Sequence, residues 1–358
     1  MVLTDYPEWK EAIDRIASSS KVVMLLGDTD CGKTTFSALL CNAALAAGRR
    51  VAVVDADIGQ SEIGPPCCVG WGLMEAPIHT LGDITARGLA FVGSTSPVGR
   101  LLEHTVATRL MADIALQENP DLLLVDTTGF VQGVPARRLK RAKWELLRPD
   151  TVVTLERKNE CDLLVRMMDR SDAANVVRLP VAVAIGNKPP AIRALRRSAS
   201  FVRYFTGAEE YSYDIDQLVM EDTWLNNADP LAPHLQKFLA EAFGVKVFHA
   251  ELSQRHLGLI TDGPGRTDHG MSAAREQFRV ETVTLTPAKK LQHLLVGILD
   301  TKGKLLAVGL IESIDFRRRT IGILSPVKIP AVVRGLRFGA LRVQPDGRQL
   351  GVNQPGEV

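Results

Sequence analysis

The sequence is poor in several features that would each point to a specialised class of protein. Aromatic residues make up only 5% of its 358 residues, so any surface on which nucleobases stack must be small. No apolar run approaches the roughly 18 residues that a membrane-spanning helix needs, so we expect no membrane association. Lys and Arg total 43 against 41 Asp and Glu, and this net charge of +2 argues against a polybasic nucleic-acid coat protein.

Cysteine and histidine are also too scattered to form a recognisable framework. The five cysteines are odd in number and contain no C-x-x-C pair, which argues against a disulfide scaffold and a zinc site. The N-terminal segment carries Asp5, Glu8 and Lys10 where a signal peptide would need an apolar run. We therefore expect a reduced, cytoplasmic setting.

What is present is an alternation of short apolar runs with segments of helical periodicity. The expected strands are Val22–Leu26, Val51–Val54, Leu89–Val92, Leu122–Val125, Thr151–Leu155 and Val176–Leu179. The expected helices are Pro7–Ser18, Thr34–Ala47 and Leu101–Leu116. Nearly continuous apolar strands that alternate with helices predict an α/β fold, with a parallel sheet flanked by helices on both faces.

The composition changes after about Thr206. Glu209–Asp222 is acidic and predicted to be irregular, and further β segments are expected at Arg279–Leu285, Leu294–Leu299, Leu305–Ile311 and Thr320–Leu324. We predict a lead-in helix within residues 1–20, a nucleotide-binding domain over residues 21–205, and a mainly β domain with an acidic linker region over residues 206–358.

The strongest motif is a phosphate-binding loop that matches G-x-x-x-x-G-K-[ST] between a strand and a helix. We assign nucleotide binding to Gly27, Asp28, Thr29, Asp30, Cys31, Gly32, Lys33, Thr34 and Thr35. Glycines let backbone N–H groups converge on phosphate oxygens, and the following helix N-terminus adds partial positive charge. Lys33 is expected to reach the β- and γ-phosphates, and the Thr34 hydroxyl is expected to join the shell of a Mg²⁺ ion.

A second motif, D-x-D-x-G-Q, lies at the end of the next strand and comprises Asp55, Asp57, Gly59 and Gln60. In a parallel sheet, the carboxyl end of the strand beside the phosphate-loop strand faces the ligand crevice. Of two carboxylates there, one can bind Mg²⁺ and the other can act on an attacking hydroxyl. This pattern favours phosphoryl transfer to an acceptor over hydrolysis, although an acidic strand end that only caps a loop stays open.

A third motif, Asp126 to Gly129, reads in isolation as the D-x-x-G phosphate sensor of GTPases. Asn187 and Lys188 could begin a guanine-reading N-K-x-D, but Pro189 and Pro190 follow and no Asp holds the base. A GTPase or ATPase switch, including a metal-insertion chaperone, is therefore an alternative function, and a nucleotide-bound RNA-processing scaffold is another.

Together these motifs resemble the Clp1/Grc3 family of polynucleotide 5′-hydroxyl kinases over about residues 21–205. Besides the phosphate loop and D-x-D-x-G-Q, the resemblance rests on Gly93 to Pro97, on Thr127 to Phe130 with Gly133, and on the R-x-x-x-R pair Arg193 and Arg197. The resemblance implies a P-loop kinase that moves the γ-phosphate of ATP to the 5′-OH end of RNA or DNA.

The same resemblance implies roles for single residues. Asp55 would be the general base, and Asp57 and Gln60 would lie around the metal, with Gln60 also near the substrate. Thr127, Thr128, Gly129 and Phe130 match the family's T-x-G-W clasp for the terminal nucleotide, with Phe in place of Trp. Arg193 and Arg197 match its lid over the phosphates, and their i, i+4 spacing places both on one helix face.

Two basic regions are candidates for guiding a nucleic-acid strand. Residues 137–143 contain Arg137, Arg138, Lys140, Arg141 and Lys143, which could equally form a solvated helix face. Residues 287–358 contain 12 Lys and Arg against 5 Asp and Glu, an excess that predicts a backbone-tracking surface.

Overall fold

The computed structural model describes residues 6–169, 174–187, 189–326, 330–354 and 356–358. The chain divides into two compact units, residues 1–200 and 201–358. Lys188, the second residue of the incomplete guanine motif, lies outside the described residues. No helix in the described ranges is long and apolar enough to cross a membrane.

The first unit is an α/β fold. Its helices are α1 (Pro7–Ser19), α2 (Lys33–Ala46), α3 (Leu101–Gln117), α4 (Gly133–Leu147), α5 (Asp162–Asp169) and α6 (Pro190–Phe205), the last of which continues into the second unit. Its strands are β1 (Val22–Gly27), β2 (Val51–Ala56), β3 (Cys68–Leu73), β4 (Gly88–Phe91), β5 (Leu122–Thr127), β6 (Thr151–Glu156) and β7 (Asn175–Pro180).

The seven strands form one sheet in the order β4-β3-β2-β5-β1-β6-β7. The five strands from β2 to β7 in this order run parallel, which confirms the predicted fold class. The antiparallel β3 was not predicted, and it pairs with β2 and β4. Apolar clusters cover both faces of the sheet, which explains why its central strands are apolar along their whole length.

The sheet order places three strand ends next to each other. β1 lies between β5 and β6, and β2 pairs with β5 on the other side. Because parallel strands share one carboxyl edge, the loops after β1, β2 and β5 meet there. These loops carry the three motifs found in the sequence.

Helix α1 is part of the core of this unit. Trp9, Ile13 and Ile16 repeat at helical spacing and are fully or almost fully buried. The Trp9 ring packs edge-on against Phe36 of α2, and its Nε1 donates a hydrogen bond to the Pro180 carbonyl at 2.8 Å. The lead-in helix therefore supports the first turn of the helix that follows the phosphate loop.

The second unit is mainly β. Its further helices are α7 (Pro233–Phe243) and α8 (Thr267–Phe278). Its strands are β8 (Glu209–Asp214), β9 (Val219–Glu221), β10 (Asp229–Pro230), β11 (Val247–Leu252), β12 (His256–Thr261), β13 (Thr282–Pro287), β14 (Leu294–Leu299), β15 (Leu305–Asp315), β16 (Thr320–Ser325), β17 (Gly335–Val343) and β18 (Gln349–Val352). They form a four-stranded sheet, β10-β11-β12-β13, and a larger sheet, β18-β17-β14-β15-β16-β8, with β9 paired to β17.

The acidic stretch differs from the irregular linker that we expected. β8 pairs with β16, and β9 pairs with β17, so this stretch belongs to the C-terminal sheet. Its carboxylates neutralise part of the basic excess: Asp216 pairs with Arg319 at 2.5 Å, and Glu221 pairs with Arg337 at 2.7 Å. Residues 201–358 as a whole carry 19 Lys and Arg against 18 Asp and Glu. The C-terminal charge excess is therefore largely balanced within its own unit.

Candidate active site

The phosphate loop has the local conformation that its sequence predicts. Gly32 has φ of +91°, and a Cβ there would lie 2.9 Å from the Trp9 ring, so glycine is needed for both backbone and space. Helix α2 begins directly after it, and no side chain caps its N-terminus. Lys33 is buried, and its Nζ donates to the carbonyls of Gly27 at 3.0 Å and Asp28 at 2.7 Å. The loop is thus a preformed cradle whose lysine is held by its own backbone.

Asp126 lies directly opposite the start of α2. It is the next-to-last residue of β5, which pairs with β1, and its Oδ2 accepts a hydrogen bond from the Thr34 hydroxyl at 3.1 Å. Its other oxygen, Oδ1, is buried without a hydrogen-bond partner among the described residues. Burial raises the pKa of Asp126 to about 6, against the lowering effect of Lys33. Asp126 was not predicted as a site residue, although the D-x-x-G pattern had marked it.

Asp55 is buried, and its carboxylate is occupied by the loop that follows it. Oδ2 accepts hydrogen bonds from the backbone N–H groups of Glu62 at 2.6 Å and Ile63 at 3.1 Å. Oδ1 accepts one from the N–H of Asp57 at 3.0 Å. Burial, reinforced by Asp126, raises the pKa of Asp55 to about 8. The geometry makes Asp55 the anchor of the loop between β2 and β3.

Asp57 is placed differently. One oxygen, Oδ1, accepts the N–H groups of Gly59 at 3.0 Å and Gln60 at 3.1 Å, which closes a tight turn. None of the described residues donates a hydrogen bond to the other oxygen, Oδ2. The charge of Asp57 also raises the pKa of Lys33 and of Asp126. Of the two predicted carboxylates, Asp57 is the one with an oxygen that no described residue binds by a hydrogen bond.

Gln60 connects this acidic turn to the predicted lid. Its Nε2 donates to the Gly59 carbonyl at 2.7 Å and to the Arg193 carbonyl at 3.3 Å. Arg193 in turn donates through Nη1 to Asp30 of the phosphate loop at 2.7 Å. The structure therefore brings Gln60, Arg193 and the phosphate loop together.

Arg197 lies one turn further along α6, as the i, i+4 spacing predicts. Its Nε is buried without a hydrogen-bond partner in the described part of the chain. Burial and the neighbouring Arg193 lower the pKa of Arg197, whereas Cys67 and Asp57 raise it. A guanidinium with an unpaired buried N–H is suited to an incoming anion.

The clasp segment, which we define as Thr127–Phe130, follows Asp126 at the same edge. The Thr127 hydroxyl donates to the Leu25 carbonyl at 2.6 Å and so ties the segment to β1. Gly129 packs against the phosphate loop so closely that a Cβ there would lie 2.6 Å from the Thr29 backbone nitrogen. Phe130 is half-buried. Clasp segment and phosphate loop are thus in direct contact.

Comparison with known proteins identifies the family of this chain. Residues 27–207 match a family model described as the mRNA cleavage and polyadenylation factor CLP1 P-loop. The chain belongs to the Clp1 P-loop family. It is 28% identical to the polyribonucleotide 5′-hydroxyl-kinase of Pyrococcus horikoshii over 95% of this chain and 91% of that protein. It is 30% identical to the enzyme of the same name from Pyrococcus furiosus, over 97% of this chain and 96% of that protein.

A solved Clp1p–Pcf11p complex shows that the fold is shared with a Clp1 protein. The TM-score is 0.60 at 14% identity, with 93% of this chain and 77% of that chain covered. This likeness concerns the fold alone, because the identity is low.

Sequence reasoning missed a group of buried basic side chains next to the site of this Clp1-family chain. Lys140 and Lys143 of the basic run are buried, and each was expected either to guide a strand or to be solvated. Lys143 Nζ lies 2.7 Å from Nε2 of the buried His104, and that nitrogen lies 2.9 Å from the Ala56 carbonyl. Both expectations are wrong for these two lysines, because α4 turns this face toward the sheet. Lys140 and Lys143 are three positions apart and so lie on one face of α4, and this spacing was the signal in the sequence that could have predicted their burial.

Proposed function

We propose that this protein is an ATP-dependent polynucleotide 5′-hydroxyl kinase, which transfers the γ-phosphate of ATP to the 5′-OH end of RNA or DNA. One observation carries the proposal. The phosphate loop, the acidic turn, the clasp segment and the two lid arginines converge at one edge of the sheet. Membership of the Clp1 family and the names of its relatives support the same activity.

The phosphate loop would hold the triphosphate. The backbone N–H groups at the uncapped start of α2 would bind phosphate oxygens. Lys33 would exchange its bonds to the Gly27 and Asp28 carbonyls for bonds to the β- and γ-phosphates. Because its present partners are neutral carbonyls, an anionic phosphate is the better acceptor for its ammonium group.

The donors around Thr34 fit Mg²⁺, which prefers hard oxygen ligands. The Thr34 hydroxyl already donates to Asp126 Oδ2, and Asp126 Oδ1 has no hydrogen-bond partner among the described residues. We assign these two groups to the metal shell, which Asp57 and Gln60 would complete through water. Bound there, Mg²⁺ would neutralise charge on the β- and γ-phosphates.

For the general base, the geometry favours Asp57 over Asp55. None of the described residues donates a hydrogen bond to Asp57 Oδ2, whereas both oxygens of Asp55 bind the loop that contains Glu62 and Ile63. In the reaction, the 5′-OH proton passes to the Asp57 carboxylate as the new O–P bond forms. The bond between the γ-phosphorus and the β,γ-bridging oxygen breaks, and ADP leaves.

The clasp segment and the lid arginines would orient the two substrates. The Phe130 ring offers a face on which the terminal base can stack. Arg193 and Arg197 would stabilise negative charge on the transferring group. Arg193 is held near the triphosphate position by Asp30, so closure of the lid would exchange this ion pair for a phosphate.

The test is end-labelling of single- and double-stranded RNA and DNA oligonucleotides that carry a 5′-OH, with Mg²⁺ and either ATP or GTP. Lys33→Ala should abolish labelling, and Arg197→Ala should reduce it strongly. Arg196→Ala changes an exposed arginine on the same helix and serves as the matched control. GTP hydrolysis without labelling of any oligonucleotide would refute the proposal and favour a GTPase switch.

The two acids are separated by their asparagine variants. Asp57→Asn should lower kcat by about 100-fold or more at unchanged stability, because it removes a proton acceptor. Asp55→Asn should lower the melting temperature as well, because its amide presents hydrogen atoms to backbone donors. If Asp55→Asn alone abolishes kcat at wild-type stability, Asp55 is the base.

A further inference from the structure

Lys140 is a buried amine with an unusual set of partners. Its Nζ donates to the Thr127 hydroxyl at 2.7 Å, the Thr128 carbonyl at 2.6 Å and the Thr128 hydroxyl at 3.3 Å. All three acceptors are neutral and belong to the clasp segment. An ammonium group has three donors, and here all three are directed at one short stretch of chain.

The fold keeps this amine against a considerable cost. Lys140 has no exposed surface, and its pKa is lowered to about 7, mainly by burial and also by the charge of Lys33. Asp57, Cys161 and Asp126 act in the opposite direction and raise the pKa. An apolar residue would fill the same space without the desolvation penalty. The hydrogen bonds to Thr127 and Thr128 therefore explain the amine at this position, whereas packing does not.

The contacts of Lys140 continue to the phosphate loop. Thr128, which it holds through two oxygens, precedes Gly129, and Gly129 lies against Thr29. Thr127, its third partner, is bonded to the Leu25 carbonyl in the strand that enters the phosphate loop. Lys140 thus closes a short ring of contacts from α4 through the clasp segment to β1.

We propose that Lys140 is a positioning residue that fixes the clasp segment against the phosphate loop and thereby sets the affinity for the polynucleotide end. The inference rests on the proposed kinase function, since the clasp is assigned there to the acceptor. It predicts that loss of the amine acts on the acceptor more than on ATP, because Lys33 and the start of α2 keep their own contacts.

The experiment compares the full chain with Lys140→Met, which keeps the length of the side chain but removes its donors, and Lys140→Gln, which keeps some donors without charge. Glu145→Gln removes an exposed charge from α4 and is the control. Three quantities are measured in each protein. They are the KM values for ATP and for a 5′-OH oligonucleotide, and the rate of amide hydrogen exchange in residues 127–131.

For Lys140→Met we expect the KM for the oligonucleotide to rise about tenfold, while the KM for ATP changes less than about threefold. Exchange in residues 127–131 should accelerate by about tenfold and that of residues 133–147 should not. Lys140→Gln should give smaller changes in the same direction, and it carries the comparison if the Met variant does not fold.

Two results would overturn the inference. One is a wild-type KM for the oligonucleotide together with wild-type exchange in the clasp segment. The other is an equal rise of both KM values with faster exchange throughout the first unit, which indicates a general structural role. If wild-type protein labels no oligonucleotide, the proposed function fails, and the exchange rates alone still decide whether Lys140 holds the clasp segment.

Discussion

Gly129→Ala tests the contact between the clasp segment and the phosphate loop most directly. A Cβ at Gly129 would lie 2.5 Å from Oγ1, 2.6 Å from the backbone nitrogen and 2.7 Å from Cα of Thr29. The φ of Gly129 is not in the left-handed region, so alanine is not strained by its own backbone. Any effect of the substitution must therefore come from the missing space.

The size of the displacement follows from these distances. Ordinary van der Waals contact begins at 3.4 Å, so the clasp segment or the phosphate loop must move by about 0.8 Å to admit the methyl group. A misplacement of about 1 Å in a substrate-positioning element can cost about 100-fold in rate. We therefore expect kcat/KM for oligonucleotide phosphorylation to fall by about 30- to 100-fold.

The assay is steady-state phosphorylation of a 5′-OH oligonucleotide, with the melting temperature measured in parallel. Gly186→Ala is the matched control, because no heavy atom of the described residues lies within 4 Å of a Cβ there and its φ is not left-handed. A kcat/KM for Gly129→Ala within about threefold of wild type would show that the two loops move apart freely. That result would refute the close contact as a requirement for activity.

Two further substitutions probe the support of each unit. Trp9→Phe removes the hydrogen bond to the Pro180 carbonyl and should lower the free energy of unfolding of the first unit by about 2 kcal/mol. Urea denaturation measures this loss, and a loss under about 0.5 kcal/mol would contradict the prediction. Glu251→Ala removes a buried carboxylate that accepts from the Asn226 N–H at 2.8 Å and lies 2.7 Å from His249, and it should destabilise the second unit by about 3 kcal/mol. For Glu251→Ala, faster amide hydrogen exchange in residues 226–228 with unchanged exchange in the first unit would confirm this destabilisation. An equal acceleration of exchange in both units would contradict it.

The sequence determined the parts of this protein that depend on local pattern. Each predicted strand of the first unit is present, and the phosphate loop begins and ends where G-x-x-x-x-G-K-[ST] places it. Apolar runs, helical periodicity and glycine spacing are local properties, so a single sequence carries them. The antiparallel β3 was missed because Cys68–Leu73 contains two glycines, Gly70 and Gly72, which weaken any strand signal.

The tertiary structure decided what pairs with what. Asp55 and Asp57 differ by two positions, yet one is occupied by four donors and the other keeps an open oxygen. The lysines of α4 appeared to be surface charge until packing of the helix on the sheet buried Lys140 under the clasp segment. Hydrogen-bond saturation and burial depend on residues distant in the chain, and local pattern contains no information about them. The sequence therefore determined which functional side chains lie at this edge of the sheet, and the fold determined which of their atoms already have hydrogen-bond partners.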